Sequence, residues 1–228
     1  MPSGKALLRP DLFPSTPRTW LIARLRQPGG PHGDVNHCIM SIYARPLRAY
    51  VRGSSFRDLA DADELVNGFF ASRLADPDYL PAWRASGLLL RRWLMNGILL
   101  FLHEQARAAR RANRAQSLPL DLASAPDSAF ERAYAVTLVR EAMEATERDL
   151  RDDDMSMHWQ AFHARHTGPH ACAAFRSQHN LTAGQFHHLV RMATARFRKW
   201  LVDLVVLDGV HREEADGEIQ RLIRSLRH

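Results

Sequence analysis

From Met155 to Val202 the chain carries no aspartate or glutamate, but six arginines or lysines and seven histidines. Three chemistries could use such a stretch: metal ligation, proton transfer, or contact with a polyanion. A metal site needs converging ligands, usually at tight repeated spacings. His158, His163, His166, His170 and Cys172 match no familiar spacing, and Gly168-Pro169 breaks the helix that would align His166 with His170. No phosphate loop, nucleophile elbow or paired carboxylate site is visible. The chain is therefore expected not to be an enzyme and to use no metal or cofactor. The stretch is then either an ordinary solvated face that lacks acids or a contact for an anionic partner, since phosphates favour an acid-free surface. Partly protonated histidines would add to its field.

The same segment must be positioned by helices. Residues 171–202 read as a short helix, about Ala171 to Gln178, a turn at His179-Asn180-Leu181, and a longer helix capped by Thr182. A threonine at that position accepts an orphan amide proton of the first turn. Phe186, Leu189, Val190, Ala193, Phe197, Leu201 and Leu204 recur at steps of three and four, so one face is apolar. The opposite face shows Gln185, His187, His188, Arg191, Arg198 and Lys199. A short helix, a turn and a longer helix with a polar, basic outer face is the helix-turn-helix pattern. Early residues of the second helix would reach base edges: Gln185, His187, His188 and Arg191, with Thr182 and Met192 beside them. Arg196, Arg198 and Lys199 lie later and would meet phosphates.

The whole chain sets the bounds. It has 228 residues and 46% hydrophobic content, enough for one large or two small domains. Its formal charge is +6, and nearly all its cations are arginine; only Lys5 and Lys199 are lysine. Such a balance favours an anionic partner. Cys38 and Cys172 have no partner motif, which fits a reducing compartment. The most apolar run, Gly87–Leu102, is interrupted by Arg91, Arg92 and Asn96, so no membrane span is expected. Without a signal pattern, the expected location is the cytoplasm.

Along the chain the expected organisation is all-α: two small helical domains joined by a flexible linker. Residues 1–16 are read as an arm, 17–111 as the first domain, 112–128 as a proline- and serine-rich linker, and 129–228 as the second domain. The first domain should hold helices at Thr16–Arg26, Asp34–Arg52 with Pro46 inside, and Asp61–Leu74. A loop with Pro77 and Pro81 comes next, then a long helix from Gly87 to about Arg111. The second should open with Phe130–Leu150 and close with about Glu213 to Leu226. Asp61, Asp63, Glu64 and Asn67 cluster at a helix start, where acidic groups favour the dipole, or form a docking face for a basic partner. Trp93 and Phe101 fit a core. Arg107, Arg110 and Arg111 form a basic helix end that could hold the backbone of an opened strand.

Three of these segments, in this order, resemble bacterial extracytoplasmic-function sigma factors. Asp61–Phe70, DADELVNGFF, resembles that family's acidic D-A-E-D-L-V-Q motif. Arg91–Arg111, RRWLMNGILLFLHEQARAARR, resembles its F-R-x-W-L helix ending in arginines. Leu181–Leu201, LTAGQFHHLVRMATARFRKWL, resembles its recognition helix. Phe13–Trp20 and His211–Leu226 resemble the two ends of one subgroup. The resemblance implies an alternative sigma factor that binds core RNA polymerase through Asp61, Asp63, Glu64 and Asn67. It also implies that the Trp93–Arg111 surface holds the opened minus-ten strand, and that the helix from Thr182 reads promoter DNA at the minus-thirty-five element. The family has Arg and Asn where this chain has Leu99 and Leu100, and a glycine where it has Asn180. A stand-alone helix-turn-helix regulator and a helical protein-interaction module are the alternatives. An anti-sigma partner, a kinase, or control by the terminal segments all stay open as modes of restraint.

Overall fold

A computed structural model describes residues 33–112 and 127–226. The described residues are all-helical: nine helices and no strand. They are α1 (Gly33–Gly53), α2 (Ala62–Arg73), α3 (Tyr79–Ser86), α4 (Leu90–Ala112), α5 (Asp127–Asp152), α6 (Ser156–Thr167), α7 (Pro169–Gln178), α8 (Ala183–Leu207) and α9 (Ala215–Ser225). None is long and apolar enough to cross a membrane. The expected helix at Thr16–Arg26, the arm at 1–16 and residues 113–126 of the expected linker lie outside the described residues.

Two compact units divide the chain. The first comprises, among described residues, 33–112, 127–137 and 205–226; the second is 138–204. In the first, α1 contributes Val35, Ile39, Ile42, Tyr43, Leu47 and Val51 to the core, and α2 contributes Leu65, Val66, Phe69 and Phe70. From α4, Leu90, Leu94, Ile98 and Leu102 are buried at a spacing of four, the ridge of a helix packed along one side. Pro46 lies buried inside α1, which runs through it. Phe101 is buried as expected, and Trp93 is half-buried.

One segment departs from the sequence reading. The stretch expected as a loop, with Pro77 and Pro81, contains the helix α3. Pro81 is its third residue, within the first turn, where a backbone N–H has no intrahelical acceptor to lose. Gly87 does not start the long helix. It ends α3 in a left-handed conformation (φ 70°), the usual place for a glycine. Trp83 Nε1 then donates to Leu88 O at 2.9 Å, and α4 begins at Leu90.

In the second unit, the start of α8 packs through Phe186 on Ala161 and Ala164 of α6 and Phe175 of α7, with Ala171, Cys172, Leu181, Leu189 and Val190 around them. Two turns beyond Phe186, Ala193 meets Phe162 and Leu150, with Met155, Trp159 and Phe197 at the edge. Positions 186, 189, 190, 193 and 197 are the apolar stripe legible in the sequence. Because that stripe is held by α6 and α7, the opposite face of α8 is turned outward.

Candidate nucleic-acid interface

The entry to α8 is fixed by a reciprocal cap. Gln185 N donates to Thr182 Oγ1 at 3.3 Å, while Gln185 Oε1 accepts from Thr182 N at 2.8 Å and from the Thr182 hydroxyl at 2.9 Å. Threonine followed three residues later by glutamine forms such a box because two orphan amides are satisfied at once. Before it, Asn180 adopts φ 51°, a left-handed conformation that asparagine tolerates better than most residues. On the helix so positioned, Thr182, Gln185, His187, His188, Arg191 and Met192 are all exposed. Arg191 Nη2 lies 3.3 Å from His188 Nδ1.

Further along α8 the cations differ from one another. Arg198 and Lys199 are exposed. Arg196 is half-buried and grips two carboxylates, Asp149 of α5 and Asp153 just after it, each at 2.7 Å. Those two hydrogen bonds raise its already high pKa. Its charge is thus balanced within the unit, and a phosphate would have to compete with both aspartates.

The histidines of the acid-free segment are spread out. His166 packs at a tilt against Phe162 and His179 against Phe175, each at 4.5 Å between ring centres. His163 Nδ1 faces the Thr167 hydroxyl at 3.4 Å. Burial lowers the His158 pKa, and the neighbouring charges of His188 and Arg196 act in the same direction. Cys172 donates its thiol to Ala164 O at 3.5 Å. Among the described residues no three His, Cys, Asp or Glu side chains converge on one point.

In the first unit, Asp61 caps α2 by accepting from Asp63 N at 2.8 Å and Glu64 N at 3.4 Å. Asp63 is paired with Arg48 and, at 3.4 Å, with Arg52. Glu64, in the same first turn, and Asn67, on the next, are exposed. At the far end of α4, Arg107 and Arg111 are exposed and Arg110 is half-buried; Arg107 Nε donates to His103 O at 3.3 Å.

A hollow of about 340 Å³ opens on the first unit between α3 and α4. Tyr79, Leu88, Trp93 and Leu100 supply its apolar wall; Asn96, Arg73 and Glu104 supply its polar edge, the last two paired at 2.9 Å. Leu100 is 59% and Leu88 43% exposed. The Tyr79 hydroxyl and the Trp93 indole N–H are buried and have no hydrogen-bond partner among the described residues. Burial pushes the Tyr79 hydroxyl well above its ordinary pKa. Gly97 makes the hollow possible: a Cβ there would lie 2.3 Å from the Tyr79 hydroxyl oxygen. Tyr79 escaped the sequence reading because its segment was read as a loop; Leu88, Asn96 and Gly97 fall within the helix expected from Gly87 but were given no part in a site. Leu100, noted only as a departure from the family pattern, turns out to line this hollow.

A second feature went unread. Arg91, 2% exposed, meets three carboxylates: Asp208, Glu218 at 2.6 Å and Glu131 at 3.5 Å. Asp208 is fully buried and also accepts from Tyr43 Oη at 2.6 Å. Arg221 joins Glu131 at 3.3 Å, and the Arg91 guanidinium lies 5.4 Å over the Tyr134 ring. Burial pushes the Asp208 carboxyl up, against the pull of Arg91. Burial acts the same way on Glu218, but Arg221 and Arg91 outweigh it and hold that carboxyl below its usual value. The network ties α1, α4, the start of α5, the end of α8 and α9 into the first unit.

No protein-family model, curated protein or solved structure matches the chain.

Proposed function

We propose that the chain is an alternative sigma factor: it binds core RNA polymerase, directs it to promoters, and carries out no chemistry of its own. The observation that carries this reading is the outer face of α8. A capped helix, entered by a three-residue turn from α7, exposes Gln185, His187, His188 and Arg191 and bears no carboxylate in its first twenty residues, 183–202. A helix of that kind, with a positive field and polar side chains near its start, suits the major groove of duplex DNA.

The first unit supports the two other contacts this role requires. The hollow of Tyr79, Trp93 and Asn96, with Arg107, Arg110 and Arg111 further along α4, joins an aromatic platform to backbone-holding cations. Single strands are held by that combination, each stacked base being worth about 1–3 kcal/mol. Trp93, Asn96 and Leu100 take the strand-capturing part that Arg and Asn take in the family at the positions of Leu99 and Leu100. Glu64 and Asn67 on α2, next to the capping Asp61, form the polymerase-docking face. Such a protein works in the cytoplasm.

The reading is tested by transcription in vitro from a linear promoter library, using core polymerase with and without the folded chain. Co-elution with the core enzyme and promoter-dependent transcripts are expected. Absence of both would sink it. A duplex-DNA complex formed equally well without polymerase would favour a stand-alone regulator instead.

A further inference from the structure

We infer that the amino-terminal face of α8 reads an acceptor-rich strand: guanine or thymine, and not cytosine, stands opposite Gln185, His188 and Arg191. The inference rests on the promoter-reading role proposed above and names the kind of sequence that role selects.

It follows from which atoms are already used. A glutamine commonly reads adenine by accepting from N6–H while donating to N7, which needs both ends of its amide. Gln185 has spent one end. Its Oε1 accepts from Thr182 N at 2.8 Å and from the Thr182 hydroxyl at 2.9 Å. A backbone N–H can only donate, so the atom facing it must be the oxygen, and Nε2, with its two hydrogens, is the end left to face a ligand. The Thr182 hydroxyl is occupied as well, donating to Oε1 and accepting from Gln185 N.

His188 is set the same way. A guanidinium has no acceptor, so Arg191 Nη2, 3.3 Å from His188 Nδ1, must donate to it. In the neutral ring the hydrogen is then on Nε2. In the protonated ring Nε2 carries one too. Arg191 itself offers donors alone. Asp149, near the end of α5, and Asp153, just after it, bond Arg196. His187, in its neutral form, is the exposed side chain nearby that keeps an acceptor nitrogen.

Base edges complete the match. Guanine shows two acceptors in the major groove, O6 and N7, and thymine shows O4; cytosine shows its N4 amino group, a donor, and adenine mixes the two. Donors at positions 185, 188 and 191 therefore suit guanine best, accept thymine, and repel cytosine.

The experiment selects duplexes, randomised upstream of the melted segment, with the full chain bound to core RNA polymerase. Gln185→Ala, His188→Ala and Arg191→Ala, each checked for helicity, map the base pair each residue reads. Guanine or thymine is expected at the mapped positions, and replacing a mapped guanine by 7-deazaguanine should weaken binding about fivefold or more. Gln185→Glu is the sharpest arm. One carboxylate oxygen keeps the Thr182 cap and the other becomes an outward acceptor, so the preference at that position should shift toward cytosine by about tenfold. A merely structural role for Gln185 would weaken all sequences alike. Cytosine, or adenine above guanine, at the mapped positions overturns the inference, as does an unchanged preference in Gln185→Glu; polymerase-dependent selection would still stand. No polymerase complex and no selected sequence from folded protein overturns both readings together.

Discussion

Arg91 gives both its backbone N–H and its guanidinium to a single carboxylate, that of Asp208, 117 residues further along the chain. A fully buried aspartate so remote in sequence makes the end of α8 part of the unit built by α1–α4. Removing the arginine would leave the buried Asp208 carboxylate without its counter-charge, whereas Glu131 would keep Arg221. Breaking one side of such a pair costs about 3–5 kcal/mol, far more than the pair contributes over an apolar replacement. Arg91→Ala should therefore lower the stability of the first unit by about that amount in urea denaturation. Arg91→Met combined with Asp208→Leu should recover much of it, because no charge is left unpaired.

The acid response of this network has a definite sign. Glu218 is held below its ordinary value of 4.5, so the folded chain binds fewer protons there than the unfolded chain. Its contribution is complete above pH 4.5 and drains away as pH falls through the folded value. Asp208 works oppositely: its carboxyl is pushed up, so acid relieves a penalty that is present at neutral pH. Stability measured against pH should fall less steeply below pH 4.5 in Glu218→Gln than in the parent chain. An identical slope would mean that Glu218 is not held by Arg91 and Arg221 in solution.

What was legible in the sequence was whatever repeats locally. The stripe from Phe186 to Phe197, the acidic cap at Asp61 and the Thr182 cap can each be read from a few neighbouring residues, and the structure has them. The pairing of Arg91 with Asp208 cannot, since nothing near either residue signals the other. Helix α3 was obscured by Pro77 and Pro81, which punctuate loops more often than first turns. The hollow depends on Gly97 approaching Tyr79, a tertiary fact that an isolated glycine inside a helix only hints at. Arg196 looked like another phosphate contact because its aspartate partners lie over forty residues away.

The cap at Thr182 can be weighed by itself. Thr182→Ala removes the hydroxyl that accepts from Gln185 N but leaves the backbone N–H that holds Gln185 Oε1. Loss of an N-cap hydroxyl typically costs about 1 kcal/mol. Hydrogen exchange of the amides at 183–185 should quicken about fivefold, while those near Ala193, in the packed middle of α8, should not change.

The proposed strand capture can be separated from folding at the hollow. Trp93→Ala removes a stacking face and should reduce affinity for single-stranded DNA by about 1–3 kcal/mol, as read by fluorescence anisotropy of a labelled strand. Gly97→Ala should act without removing any contact group, since its Cβ would meet the Tyr79 hydroxyl at 2.3 Å and force that ring to move. Binding should weaken in both, whereas duplex binding through α8 should be preserved. Equal loss of single-strand and duplex binding would point to unfolding instead.

The docking face calls for a choice of residues that the sequence alone did not provide. Asp61 holds the first turn of α2 and Asp63 is paired with Arg48 and Arg52, so replacing either disturbs structure along with surface. Glu64, which gives the cap only its backbone N–H, and Asn67, on the next turn, have exposed side chains. Glu64→Ala with Asn67→Ala should leave thermal stability within about 0.5 kcal/mol of the parent, as expected for surface positions free of special features. The same pair should weaken co-elution with core polymerase about tenfold or more, if each contact is worth what a charged, partly desolvated interface group usually contributes. Retained co-elution at unchanged stability would move the proposed docking face away from α2, while leaving the proposed DNA-reading face of α8 untouched.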